Sequence, residues 1–199
     1  SSDPEYLFHK ADWFSVSANQ TTRMQQEIDG QNGNELLNSS TDDLARYYAS
    51  KYTVDVPVLH PEDIVVDQRE TQIDVSHDRM RYFSDRSGPH YVTGTSVDVE
   101  LPFSGDAECF YVQATTFSTN APRARIAKGI VHFSIVGTDL DGARVRAEID
   151  SKVKSLNEHL EWLRNDARRF NETLFAAAKA SIERRKEKLL KDQNLVSAL

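Results

Sequence analysis

Carboxylates and histidines are concentrated between residues 60 and 78, in a composition that would suit a hard metal ion. The set comprises His60, Glu62, Asp63, Asp67, Glu70, Asp74, His77 and Asp78. Oxygen-rich clusters bind Ca²⁺ or Mg²⁺ only when the spacing brings several oxygens to one point. Asp67 and Asp74 lie in different predicted strand segments, and no calcium-loop spacing with its central glycine is present. A solvated sheet face explains them better, so we predict no metal and no cofactor.

Asp98 and Glu100 raise the question of a nuclease centre, because strand-borne carboxylates followed by a lysine can bind Mg²⁺ and activate water. The residue two positions after Glu100 is Pro102, and the residue two positions after Glu108 is Phe110, so the lysine is missing. The chain also contains no phosphate-binding glycine loop and no serine nucleophile elbow. We therefore assign no catalytic residue and predict that this segment is not an enzyme.

The loop between residues 77 and 89 is the most distinctive candidate binding surface. It combines arginines and aromatic residues that could pair with, and stack on, a nucleotide or a phosphate. The candidate ligand-binding residues are Arg79, Arg81, Tyr82 and Arg86. The alternative is that these arginines form salt bridges with the abundant neighbouring acids.

A basic amphipathic segment near the C-terminal end is the candidate nucleic-acid contact. Its candidate residues are Arg184, Arg185, Lys186 and Lys188. Glu183 and Glu187 interrupt the positive charge, which is more typical of a solvated helix face. Acidic residues outnumber basic ones before residue 120 and the reverse holds after it, so only the later part of the chain would attract nucleic acid.

Composition indicates a globular chain, with 39% hydrophobic and 28% charged residues over 199 positions. No apolar run is long enough to span a bilayer or to serve as a signal peptide, so we expect no membrane partner and a cytoplasmic location. The single cysteine, Cys109, lies in an apolar pattern and is predicted to be a buried thiol.

The first three quarters of the chain predict helices followed by strands. Thr21 or Thr22 is expected to cap a short helix over 23–29, and Ser39 to Asp43 carry the start of a second helix over 41–53. Period-two alternation then predicts strands over 64–66, 71–75, 97–103, 108–116 and 125–136. The last three are expected to form an antiparallel meander, to which the first two add.

After Thr138 the apolar period changes to that of a helix, with gaps of alternately four and three residues. The stripe comprises Ile149, Val153, Leu156, Leu160, Leu163, Ala167, Phe170, Leu174 and Ala177. One long helix of roughly 50 residues fits this pattern. Two helices folded back between 164 and 171 also fit, and we favour this hairpin because each apolar stripe then covers the other.

Several short stretches resemble the N-terminal region of a group of little-characterised bacterial proteins. The stretches are residues 37–44, 67–75, 91–95, 135–140 and 184–190, and the similarity covers roughly residues 36–199. In that group, the resemblance implies, this module precedes a restriction-endonuclease-like domain of the PD-(D/E)XK type. A role in defence against foreign DNA would follow, although no catalytic residue carries over to this chain.

Together these observations predict an α+β fold. It has an antiparallel sheet of four to five strands, N-terminal helices and a long C-terminal helical hairpin. We expect a body over 1–140 and, over 141–199, a hairpin or coiled-coil-like helix leading to a C-terminal domain that this chain lacks. The predicted function is non-catalytic sensing, regulation or assembly, with a homo-oligomer or the chain's own effector domain as partner. The alternative is a nucleic-acid-binding module acting through the basic helix.

Overall fold

The computed structural model describes residues 3–199 and confirms the α+β class. The elements in chain order are β1 (Glu5–Tyr6), β2 (Ala11–Asp12), α1 (Trp13–Gly30), α2 (Gly33–Asn38), α3 (Thr41–Lys51), β3 (Val58–Leu59), β4 (Val65–Asp74), β5 (Tyr91–Ser104), β6 (Val112–Gln113), β7 (Arg123–Ala127), β8 (Ile130–Gly137) and α4 (Gly142–Ser197). Short 3₁₀ helices lie at Pro61–Asp63 and Ala107–Tyr111.

The main sheet is antiparallel and is centred on β5 and β8. Its strands run in the order β1, β7, β8, β5 and β3, and β4 pairs with β5 on the same side as β3. Four of these strands have five or more residues, whereas β1 and β3 have two each. The predicted antiparallel sheet of four to five strands is therefore confirmed. A separate parallel pair joins β2 to β6.

Contacts divide the chain into two interleaved compact units. The sheet unit comprises residues 3–8, 57–110 and 118–160, and the helical unit comprises residues 9–56, 111–117 and 161–199. Helix α4 contributes its first part to the sheet unit and the remainder to the helical unit. The sequence suggested a body over 1–140 and a helical segment over 141–199; by contacts, residues 141–160 belong to the sheet unit and residues 161–199 to the helical unit.

Two strand assignments made from the sequence are wrong. The segment 108–116 contains a 3₁₀ turn and only the two-residue β6, because Asp106 Oδ1 accepts the Glu108 amide at 3.2 Å and starts a helical turn. The segment 125–136 is the β7–β8 hairpin rather than one strand. Lys128 and Gly129 turn it with φ angles of 53° and 75°, which suits a tight hairpin turn. The segments 64–66 and 71–75 are joined in the single strand β4.

The helix over 41–53 is confirmed as α3, and the Ser40 hydroxyl accepts the Asp43 amide at its start. The short helix over 23–29 is part of a longer one. Helix α1 starts at Trp13, because Asp12 accepts the Ser15 amide at 2.9 Å and caps the helix nine to ten residues before the predicted threonines. Cys109 is buried, as predicted.

The predicted C-terminal hairpin is wrong, because α4 is one continuous helix of 56 residues. The weak helix formers at the expected turn have specific partners in the helical unit. Asn171 donates to the Val54 carbonyl at 3.1 Å and accepts the Val54 amide at 2.9 Å. Asp166 accepts the Thr115 amide at 2.8 Å and the Thr115 hydroxyl at 2.7 Å. These bonds hold this part of α4 against other segments of the helical unit and offset the low helix propensity of Asn and Asp.

Candidate ligand-binding recess on the open face of the sheet

The two faces of the main sheet differ, because the deeply buried apolar side chains of β5 and β8 point to one of them. The residues on that face are buried and comprise Val99, Leu101, Val131, Phe133 and Ile135. Since side chains alternate along a strand, the residues between them must lie on the opposite face. The open face therefore collects the polar residues of the same strands in register.

One cross-strand row on the open face carries charges of both signs. Glu100 of β5 lies opposite His132 of β8, and His132 lies opposite Arg125 of β7. No hydrogen bond or ion pair engages these three side chains within residues 3–199. Neighbouring opposite charges usually pair on a sheet surface. This row instead leaves an acid, an imidazole and a guanidinium available to a bound molecule.

The adjacent row is centred on Asp98, whose carboxylate is held rigidly. It accepts hydrogen bonds from the Ser134 hydroxyl at 2.6 Å, the Arg69 Nε at 2.8 Å and the Ser96 hydroxyl at 3.0 Å. The Ser134 hydroxyl, with Arg69, holds the pKa of the Asp98 carboxyl below its usual range. Asp98 therefore stays ionised and fixed in position, which makes it a preorganised anchor for a positive group.

A recess of about 330 Å³ lies over these two rows. Its polar lining comprises Asp98, Glu100, Arg125, His132 and Ser134, with Pro4 at its rim. Such a volume matches a small molecule rather than a macromolecule. Acids on β5 and a guanidinium on β7, two strand spacings away, favour a ligand with a positive group at one end and a negative group at the other.

The acidic region that suggested a metal site is dispersed in the structure. His60 contacts Glu62 at 3.2 Å and the Ser104 hydroxyl at 3.1 Å, whereas Asp74 caps the turn at Ser76 and His90. Across the part of the chain that the structure describes, no group of three or more His, Cys, Asp or Glu side chains is arranged to hold a metal ion.

The arginines of the 77–89 loop act largely on the loop itself. Arg86 donates to the carbonyls of Ser76, Asp78 and Arg81, and its guanidinium lies 5.2 Å from the centre of the Phe83 ring. Arg81 pairs with Asp78 at 3.2 Å. Tyr82 is 92% exposed, and Arg79 is also exposed. Arg81 and Arg86 thus stabilise the loop backbone, and Arg79 and Tyr82 are the two candidate ligand-binding residues that make no hydrogen bond or ion pair within residues 3–199.

The basic segment of α4 is partly committed to capping other helices of the helical unit. Arg185 donates to the carbonyl of Gln31 at 2.9 Å, at the C-terminal end of α1. Lys186 donates to the carbonyl of Ser39 at 2.6 Å, at the C-terminal end of α2. Cations at these positions satisfy exposed carbonyls and the negative ends of the helix dipoles. Of the four residues predicted to contact nucleic acid, Arg184 and Lys188 are exposed.

Sequence reasoning considered Asp98 and Glu100 together, as carboxylates of one strand, but it did not place His132 or Arg125 beside them. The alternation places each of them on a polar strand face, which was the available signal. The error at 125–136 hid their proximity, because Arg125 and His132 were placed on one strand. The hairpin turn at Lys128–Gly129 sets them opposite each other.

No family model matches the chain, and comparison with curated proteins and with solved structures found no match. The resemblance to the N-terminal region of nuclease-associated bacterial proteins remains a prediction. No helix within residues 3–199 has an apolar stretch long enough to cross a lipid bilayer.

Proposed function

We propose that this chain is a non-catalytic sensing domain whose sheet recess binds a small ligand carrying one positive and one negative group. The observation that supports this most is the row Glu100, His132 and Arg125, which lies in register without internal pairing. Asp98 and Glu100 would hold the positive end of the ligand, and Arg125 the negative end. A free amino acid or an aminoalkyl phosphate has this chemistry.

Contacts within the sheet unit supply a route from the recess to α4. Phe133 follows His132 on β8 and faces the other side of the sheet, where the Lys152 ammonium of α4 lies 5.5 Å from the centre of its ring. Lys152 also donates to the carbonyl of Arg123, two residues before Arg125 on β7. A ligand that shifts β7 against β8 would therefore act on the first turns of α4, and α4 would carry the change to an effector.

The nucleic-acid alternative receives less support from the geometry. Arg185 and Lys186 would have to give up the carbonyls of Gln31 and Ser39 to reach a phosphate. That exchange would leave two helix ends uncapped in the helical unit. That the effector is a nuclease is likewise a proposal, and it is supported only by the resemblance to the N-terminal region of nuclease-associated bacterial proteins.

The proposal predicts that some free amino acids or aminoalkyl phosphates raise the melting temperature of the chain, and that the rise is lost in Glu100→Gln and Arg125→Gln. Ligand at a hundredfold excess over its dissociation constant stabilises a protein by about 2.7 kcal/mol, which a thermal melt resolves easily. Each active compound is also tested in an N-acetylated and an amidated form, which should bind less well because one charge is removed.

Matched controls are Glu70→Gln, on the opposite face of the same sheet, and Arg146→Gln, exposed on α4. Both should keep the full ligand-induced rise. A panel without any active compound, or a rise that survives in both recess variants, would refute the recess as the binding site.

A further inference from the structure

Strand β4 presents an open edge that the sheet itself does not cover. It has ten residues, and within residues 3–199 it pairs only with β5. Val65 and Val66, at its start, are 56% and 53% exposed. A long edge strand with exposed valines is a template for pairing with another strand, and natural proteins usually shorten or cover such edges.

The direction of the β4 backbone groups follows from one hydrogen bond. The Val75 amide donates to the His90 carbonyl, and the pairing continues without a bulge from Asp74 to Val65. Because inward and outward groups alternate, the even-numbered residues 66 to 72 direct their backbone groups away from β5. Consistent with this, the Gln68 amide is taken by the Asp67 side chain at 2.8 Å instead of by a strand.

We infer that the open edge of β4 pairs antiparallel with β4 of a second copy of this chain, in the register that places Gln68 opposite Gln68. In a twofold dimer of this kind, the open faces of the two copies point to the same side of the joined sheet. A residue must then lie opposite itself or opposite one an even number of positions away.

Charge complementarity selects this register. With Gln68 on the twofold axis, Asp67 of each copy lies opposite Arg69 of the other, which gives two attractive pairs, and Val65 lies opposite Thr71. Moving the axis to Asp67, Arg69 or Glu70 sets that charged residue against its own copy. Like charges directly opposite each other destabilise a sheet, and opposite charges stabilise it.

Both members of the pair are able to make the contact. The Arg69 side chain is 59% exposed and uses its Nε for Asp98, so its two terminal nitrogens remain for a carboxylate of the second copy. Asp67 would exchange the Gln68 amide for Arg69 of the other chain. The released Gln68 amide would then donate to the Gln68 carbonyl across the interface. This surface adjoins the ligand recess through the Arg69–Asp98 bond, but the inference does not depend on the sensing proposal.

The test uses the full chain in sedimentation velocity over a series of concentrations, with Asp67→Lys and Arg69→Glu as separate variants. Wild type should dimerise reversibly. Each single variant sets like charges against each other at both contacts, and its dissociation constant should rise about tenfold or more. An equimolar mixture of the two variants restores both attractive pairs, so a heterodimer should form with an affinity near that of wild type.

Glu70→Lys is the matched charge reversal on the same strand, and it should leave the dimer unchanged because Glu70 faces Val66 in this register. Asp67→Lys leaves the Arg69–Asp98 bond in place and therefore tests the edge even if Arg69→Glu melts at a lower temperature. A wild-type monomer at every concentration, a dimer that Asp67→Lys does not weaken, or a mixture that fails to associate would each overturn the inference.

Discussion

Replacing Arg168 with proline is expected to lower the free energy of unfolding by about 3 kcal/mol or more, because proline inside a helix removes one backbone hydrogen bond and clashes with the preceding turn. Arg168 is exposed and lies within the segment where a hairpin would have turned. Its side chain is exposed, so the effect reports mainly on the backbone. Urea titration followed by circular dichroism measures the change.

The control is Arg168→Ala, which removes the same side chain but keeps a strong helix former and should change stability by less than about 0.5 kcal/mol. The comparison separates the continuous helix from the hairpin suggested by the sequence. A proline variant as stable as the alanine variant would mean that α4 turns near this residue. The same variant bears on sensing, since a broken α4 could not carry a change beyond the sheet unit.

Replacing Leu174 with alanine is expected to destabilise the chain by about 2–5 kcal/mol, the range for deleting a fully buried leucine side chain and leaving a cavity. Leu174 is inaccessible to solvent and packs in the core of the helical unit. Its buried neighbours in that core comprise Met24, Ile28, Leu36, Ala45, Tyr48, Tyr52, Ala178 and Ile182. Because these lie on α1 and α2, on α3 and the residue that follows it, and on α4 itself, the cavity would loosen all four helices, and the urea midpoint measures the loss.

Leu195→Ala makes the same chemical change on the same helix at a position that is 64% exposed, and it should cost less than about 0.5 kcal/mol. Equal losses in the two variants would contradict the described core. The two Arg168 variants measure how much the continuous backbone of α4 contributes to the free energy of unfolding. The two leucine variants measure how much its packing contributes.

The candidate site shows where sequence reasoning was sufficient and where it was not. Alternation along β5 and β8 predicts that Glu100 and His132 lie on a polar face, and this holds. Alternation gives no information on which strand lies beside which. Arg125 reaches the site only because the turn at Lys128–Gly129 folds β7 onto β8, and a two-residue turn inside an alternating stretch is easily read as a continuous strand.

The basic segment of α4 shows the same limit for charge. The sequence correctly places Arg185 and Lys186 on an amphipathic helix, and it leaves two interpretations open, a solvated helix face and a nucleic-acid contact. In the fold they lie beside the ends of α1 and α2, more than a hundred residues earlier in the chain, and donate to those carbonyls. A local pattern identifies a cation but cannot identify the acceptor that it meets.

The sequence by itself determined the α+β class, the start of α3, the buried faces of the longer strands and the helical period after residue 138. Each depends on interactions between residues close in the chain, such as caps, alternation and i to i+4 spacing. Only the tertiary structure decided strand order, the β7–β8 turn and the continuity of α4. Asn171 meets Val54 and Asp166 meets Thr115 across separations of 117 and 51 residues, and such contacts exist only once the chain has folded.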